Sequence, residues 1–384
     1  MSFSSFDAPA LSLPARLHHI PWGFVAVVTA LGLLGTLMLY SAGGMNWQPW
    51  AAAHLVRLLL GLVLLLACAL VNIRSYLHFA YVIYGVCFLL LVAVELIGHM
   101  GMGAQRWINL GVIVLQPSEL MKIALVLTLA RYYHNLTLQE TRHLGRLVLP
   151  AVIVALPVVL TLMQPNLGTA MLMVLGSIAI MWAAGVRAWI FILGIAVVLA
   201  AVPVAWEFVL HDYQKARVET FLHPETDPSG AGYNIMQSTI ALGAGGFAGR
   251  GLGLGTQSQL QFLPEKHTDF IFVVLAEEWG WLGAMVTLAL YMVLIGYGFL
   301  IALGCRHDFG RLVAIGLTVN LFLYVMVNVA MISGLIPIVG IPLPLLSYGG
   351  TAMLTMMISS GILLSVAAHR DARIAKGGTV GLLN

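Results

Sequence analysis

The chain is 384 residues long, 60% hydrophobic and only 9% charged, with a mean hydropathy of +0.97. Soluble domains carry roughly 25% charged residues, so this composition excludes a soluble globular protein and predicts a polytopic membrane protein. The net charge of +3 comes with no large basic patch, which excludes nucleic acid as a partner.

Apolar runs long enough to span a bilayer recur along the chain and predict about ten transmembrane helices. They fall near residues 22–41, 52–71, 76–98, 118–134, 147–163, 168–184, 187–208, 270–303, 310–333 and 346–368. No cleavage site follows the first run, which therefore reads as a span and not as a removable leader. An even number of spans puts both termini on one side. Arg16, Arg74, Arg142, Arg146, Arg187, Arg306, Arg311, Arg370, Arg373 and Lys376 all fall on that side, whereas the short opposite loops carry only Arg106. The positive-inside rule then makes both termini cytoplasmic. The expectation is an all-α membrane domain over residues 1–384, with cytoplasmic tails at 1–21 and 369–384 and one large outer loop at 209–269. Cys68, Cys87 and Cys305 lie in or beside apolar runs without CxxC spacing, which argues against a disulfide framework or a zinc site.

The outer connections hold the unusual residues. In Gly103–Lys122, Pro117 suits the first turn of a helix and Glu119 its positive dipole end. Glu119 and Lys122 are three apart, so they meet on one helix face. They are either an interfacial pair whose lysine snorkels to water or a functional buried pair. In QPNLGTA, Gln164–Ala170, the asparagine and threonine suit caps for the next helix. The stretch Gly232–Gly280 is the long polar, glycine-rich interval, dense in glycine over 243–255, where backbone can approach a ligand or a neighbouring segment closely. Pro337, Pro342, Pro344 and the Gly349–Gly350 pair mark broken backbone at membrane depth, tolerated only where protein buries it or a cavity borders it. Together these connections predict an outward-facing polar cavity.

Several chemistries are excluded. No GxxxxGK[ST], no strand–GxGxxG–helix unit, no HExxH and no DxD pair occurs. Glu265, His267 and Asp269 alternate, so an extended segment would present all three on one face as a divalent-metal site, although no fourth ligand can be named. Asp269 also reads as a cap beside Thr268 at the start of the eighth span. Arg217 and Arg250 read equally as solvated loop charges, and Arg57 and Arg131 as snorkelling side chains. Glu277 and Glu278, about two turns into a span, must face a polar interior or a partner. The ninth span carries Asn320, Asn328, Ala330, Ser333 and Gly334, which would allow a partner helix to approach closely.

The runs GAQRWINLG, QPSELMK, QPNLGTA, IALGAGGF, GTQSQL, FLPEKHTDFIF, LAEEWG and IPLPLLSYGGTAML closely resemble the SEDS family (shape, elongation, division and sporulation). The resemblance covers essentially the whole chain and is nearer the elongation branch than the division branch. It implies a peptidoglycan glycosyltransferase that polymerises lipid II, an undecaprenyl-diphosphate-linked disaccharide-peptide, at the outer face of the cytoplasmic (inner) membrane. It implies Asp269 as the essential catalytic carboxylate and Glu119 with Lys122 as a functional pair. Arg106, Arg217, Gln237, His267 and Ser347 are the implied substrate-binding residues. A class B penicillin-binding protein is the implied partner, supplying transpeptidation, and the chain indeed has no SxxK motif of its own. Inverting displacement needs a base for the incoming hydroxyl, suited to Asp269, and positive charge for the departing diphosphate, suited to Lys122 and Arg106. An ordinary Asp, with a pKa of about 3.9, is a weak base, so its site must raise that value by burial or a neighbouring carboxylate. A divalent cation, Mg2+ or Mn2+, is left open. The rival reading is a flippase for lipid-linked precursors. That activity needs a polar path through the midplane, often between inverted repeats, and the sequence shows neither.

Overall fold

A computed structural model describes residues 13–101, 104–109, 111, 114–208, 215, 219–223, 227, 230–260, 262–263, 265–372 and 374. The helices follow in chain order: α1 Leu13–His18, α2 Trp22–Ala42, α3 Ala52–Leu70, α4 Ile73–Ile97, α5 Pro117–His134, α6 Leu138–Thr141 and α7 Val148–Met163. They continue as α8 Leu167–Ala183, α9 Ala188–Phe208, α10 Ala231–Ala244, α11 Thr256–Gln259, α12 Ile271–Gly304, α13 Asp308–Ile332 and α14 Gly350–Ala368. A helix thus lies at each predicted span position. Seven described helices are long and apolar enough to cross a membrane; Leu167–Ala183 and Ala188–Pro203 are apolar but shorter. α5 is interrupted by Glu119, Lys122 and Arg131.

Local chemistry sets the ends. Asn72 accepts from the Arg74 amide, Asn166 from the Thr169 amide, and the His307 ring from the Gly310 amide, each capping a helix. Thr137 and Glu140 form a reciprocal capping box. Pro117 opens α5 as its spacing predicted. One connection departs from the all-α expectation. Three short strands, β1 His99–Gly101, β2 Ala104–Asn109 and β3 Val114–Leu115, form a small antiparallel sheet, with Gly101 opposite Ala104 and Ile108 opposite Leu115.

The helices sort by burial. α5, α13 and α14 are buried on most faces: α14 packs on α3 and α13, and α5 on α4, α8 and α13. α4, α7 and α9 turn leucine and valine outward, among them Leu89, Leu96, Val148 and Val198. An apolar rim around a partly polar centre suits hydrocarbon outside and a site within. The broken stretch before α14 is satisfied by side chains, as buried irregular backbone must be. Asn328 donates to the Ile341 carbonyl at 2.8 Å, the Tyr291 hydroxyl to that of Pro344, and the Leu343 amide to Ser347 Oγ at 2.8 Å.

Candidate active site

Asp269 lies in the turn 265–270 that leads into α12, not on an extended segment. Glu265, His267 and Asp269 therefore do not share one face as the alternation suggested. Thr268 and Phe270 both donate their amides to the Glu265 carbonyl, and the Thr268 hydroxyl donates to Glu265 Oε2 at 3.0 Å. Among the described residues no group of three or more His, Cys, Asp or Glu is arranged to hold a metal ion. Asp269 is also not a helix cap: α12 starts after Phe270 with no side-chain cap.

The turn is held through its main chain. Asn328 of α13 donates to the Asp269 carbonyl at 3.0 Å, and the Tyr348 amide to the His267 carbonyl at 2.8 Å. Gly340, at φ +70°, lies beside the carboxylate; a Cβ there would come 3.5 Å from Asp269 Oδ2. Among the described residues no group hydrogen-bonds the half-buried carboxylate itself. Burial, reinforced by the negative charge of Glu265, pushes its pKa up to about 7. The His267 ring stacks on Trp50, centroids 4.5 Å apart, and burial with the Lys266 charge beside it pulls its pKa down to about 4.

The glycine-rich run serves packing. α12 breaks at Gly280, φ +69° and ψ −165°, and the backbone of residues 245–251 fits against the break. The Arg250 and Gly251 amides donate to the Glu277 and Glu278 carbonyls at 3.1 and 2.9 Å, and Trp281 and Leu282 donate back to Gly246 and Phe247. A Cβ on Gly249 would come 2.1 Å from the Glu278 carbonyl oxygen, so only glycine fits there. The two carboxylates predicted to face polar partners find them. Glu277 accepts from the Gln257 amide at 2.9 Å, and Glu278 from the Ser41 hydroxyl at 2.5 Å. Arg250 braces the same loop, donating to Thr256 Oγ1 and the Ala244 carbonyl.

Lys122 does not snorkel. It is 3% exposed, 2.7 Å from Glu119 Oε1, hydrogen-bonded to the Tyr324 hydroxyl and 4.2 Å from the centre of that ring. Tyr324 in turn donates to Glu119 Oε2 at 2.6 Å. Arg106, on β2, donates to the carbonyls of Gln164 and Pro165 and so braces the turn before α8. Ser347 is buried and closes the loop onto Leu343. Gln237 lies half-buried on α10, which packs against α12. Arg217 lies outside the described residues. Asn320 and Asn328, expected to face a partner helix, are 7% and 0% exposed within this chain. Sequence reasoning did not assign Tyr324, Asn328, Trp50 or Lys266 to the site. The polar pair Tyr324 and Asn328, four apart on one face of an apolar helix, carried the available signal.

A polytopic helical membrane protein with a half-buried carboxylate that no described residue hydrogen-bonds, in a side-chain-braced turn, is the class that fold and site define. The sequence profile described as "Cell cycle protein", which spans FtsW, RodA and SpoVE, matches residues 21–372, and the chain belongs to this family. It is 43% identical over 355 residues to Peptidoglycan glycosyltransferase MrdB of Escherichia coli K12, covering 92% of this chain and 94% of that one. Its fold matches a solved chain from work on the structural coordination of polymerization and crosslinking by a peptidoglycan synthase complex. That match has a TM-score of 0.82 and 32% identity, covering 92% of this chain and 99% of the other. The Rod shape determining protein RodA of Thermus thermophilus matches with a TM-score of 0.68 and 28% identity, covering 91% of this chain and 97% of that one. The SEDS resemblance therefore holds.

Proposed function

We propose that Asp269 is the general base with which this chain, a peptidoglycan glycosyltransferase of the bacterial inner membrane, polymerises lipid II at the outer membrane face during elongation. The activity class is that of relatives matched over nearly the whole chain. The observation that carries the residue assignment is the carboxylate of Asp269, fixed through its main chain and left without a hydrogen bond among the described residues, with burial pushing its pKa up to about 7. A base is most effective when its pKa lies near the working pH, which removes the weakness of an ordinary aspartate. In the step, the acceptor sugar hydroxyl attacks the anomeric carbon of the donor glycan. Its proton passes to Asp269, the bond to the diphosphate oxygen breaks, and configuration inverts without a second carboxylate acting as nucleophile.

Glu119 and Lys122 act as positioning residues in this reading. Both cations expected to face the diphosphate, Lys122 and Arg106, are engaged within the protein. Tyr324 and Asn328 are one turn apart on α13, so the Glu119–Lys122 pair that grips Tyr324 sets the helix from which Asn328 grips the Asp269 turn. A class B penicillin-binding protein would supply transpeptidation. Its membrane helix would dock on the apolar outer face of α12 and α13, where Trp281, Met285, Met292, Phe322 and Met326 are exposed. Photo-crosslinkers at those positions should capture it; capture only from α2 to α4 would move the interface. The buried ion pair in α5 closes on itself, which favours the enzyme over a flippase, an activity that needs a polar path through the midplane.

The test is polymer formation from fluorescent lipid II by protein purified in detergent, resolved on a gel. Wild type should make polymer, and Asp269→Asn should make at least about 10²-fold less while remaining folded. An active Asp269→Asn enzyme sinks the assignment.

A further inference from the structure

The turn that carries Asp269 is held from two sides. α13 supplies one hold, through Asn328, which donates to the Asp269 carbonyl and also to that of Ile341. The loop before α14 supplies the other, through the Tyr348 amide and the His267 carbonyl. That loop is strained. Leu345 has φ +69°, in the left-handed region that a branched side chain disfavours. Such a residue persists only where its surroundings impose the conformation, so the groups that impose it bear on the catalytic turn.

Three of those groups come from one face of the α3 region. Residues 50, 54 and 57 are spaced by four and three, as neighbours on a helix face are, and the chain enters α3 with helical backbone at Ala51 and Ala52. His54 is fully buried, with Nε2 3.2 Å from the Leu345 carbonyl. A carbonyl only accepts, so this nitrogen carries the proton and donates. Arg57 Nη2 donates to the Tyr348 hydroxyl at 2.9 Å, and its guanidinium carbon lies 4.4 Å from the centre of that ring. Arg57 therefore does not snorkel: it gives a donor and its cation to one tyrosine. Trp50 meets the Tyr348 ring edge-on at 4.8 Å while stacking on His267. Helix packing alone does not call for this grip, because α3 and α14 already meet where Gly61 faces Met357 and Gly361 faces Leu65.

We propose that Trp50, His54 and Arg57 form a clamp that positions the Asp269 turn for the reaction, acting through the strained loop at Leu345–Tyr348. The inference rests on the reading of Asp269 as the base and deepens it by naming what aims that base. α13 fixes the turn at the Asp269 carbonyl, and α3 fixes it by way of Tyr348 at the His267 carbonyl. Held at both points, the backbone between them presents the carboxylate in one orientation. All three are positioning residues, since they reach the base only through Tyr348, Leu345 and His267.

The test uses purified full-length protein in detergent, with polymer formation from fluorescent lipid II and backbone amide exchange as the two readouts. Tyr348→Phe removes the hydroxyl that accepts from Arg57 and keeps the amide that holds His267. It should lower kcat about tenfold with KM unchanged, the signature of a misplaced reacting group. Arg57→Met should do the same, and the double variant should lose no more than either change alone, because the two residues act as one contact. His54→Gln keeps a donor for the Leu345 carbonyl and should retain more kcat than His54→Leu. In Tyr348→Phe and Arg57→Met the amides of residues 343–350 should exchange at least about tenfold faster, while those of α5 keep their wild-type rates. Should Arg57→Met fail to fold, Tyr348→Phe decides alone. Wild-type kcat in the folded variants, a raised KM in place of a lowered kcat, or additive losses in the double variant would each overturn the clamp. An active Asp269→Asn enzyme would instead sink the base assignment, and the exchange readout would still decide whether α3 holds the turn.

Discussion

Two ionisable sites share one face of α13 and are solved in opposite ways. At Tyr324, the Glu119–Lys122 pair is closed: each charge meets the other, the tyrosine hydroxyl joins both, and all three side chains are buried. One turn further along, Asn328 holds Asp269 only by its carbonyl, and the carboxylate has no hydrogen bond among the described residues. A buried charge with internal partners resists rearrangement, because breaking the pair leaves the other ion unpaired. A carboxylate anchored only through its main chain keeps its lone pairs for something arriving from outside, and the cost appears as a raised pKa. The first arrangement suits a strut and the second a base.

The strongest way to break this contrast is to unpair the strut. Lys122→Met leaves Glu119 as a buried lone charge and should cost about 3–5 kcal/mol of stability, read as a lowered Tm in detergent. Glu119→Gln combined with Lys122→Met should recover most of it. Asp269→Asn should behave in the reverse manner. The Asp269 carboxyl is raised from 3.8 to about 7, so the folded state binds more protons than the unfolded state in that window. Stability contributed by the protonated form is then lost as pH rises through it. The asparagine variant escapes that loss, so at pH 8 it should be at least as stable as wild type while polymer falls by about 10²-fold. A stable Lys122→Met alongside an unstable Asp269→Asn would invert the comparison.

A smaller effect sharpens the second half. If Asp269 must be ionised to accept a proton, kcat/KM should fall about tenfold for each pH unit below about 7 and level off above it. Burial is the larger cause of the raised value and Glu265 the lesser. Glu265→Gln should therefore move the acid limb to lower pH without abolishing it. An acid limb that stays in place when Asp269 is changed would belong to another group.

Much of the architecture was legible because apolar runs and caps are local properties. Pro117, Asn166 and the helix positions were all readable from spacing. The sheet at 99–115 was not, since its strands are two to six residues long and their pairing is set by tertiary contact. At the site, Glu119 and Lys122 declared themselves by spacing, yet whether the lysine reached water depended on Tyr324, more than 200 residues away. The dense glycines pointed to close backbone approach, and only the fold revealed that the approaching backbone is the break at Gly280. The alternation of Glu265, His267 and Asp269 misled because period two means one face only in extended chain, and here the chain turns.

The finest test removes a single oxygen from the strut. Tyr324→Phe deletes the hydroxyl that donates to Glu119 Oε2 and accepts from Lys122, while leaving the ring against the Lys122 ammonium. The ion pair itself survives, so the loss should be roughly 2–3 kcal/mol, the net scale of two hydrogen bonds. If the pair only stabilises the bundle, turnover of the folded variant should be unchanged. If it sets α13 for Asn328, kcat should fall a few-fold with KM and the acid limb unmoved, because the base keeps its surroundings and loses only its alignment. Asn328→Leu, which cuts the link to the Asp269 carbonyl directly, should lower kcat further in the same manner. A Tyr324→Phe enzyme with altered KM and normal kcat would instead put Tyr324 in contact with substrate and dissolve the distinction between strut and base.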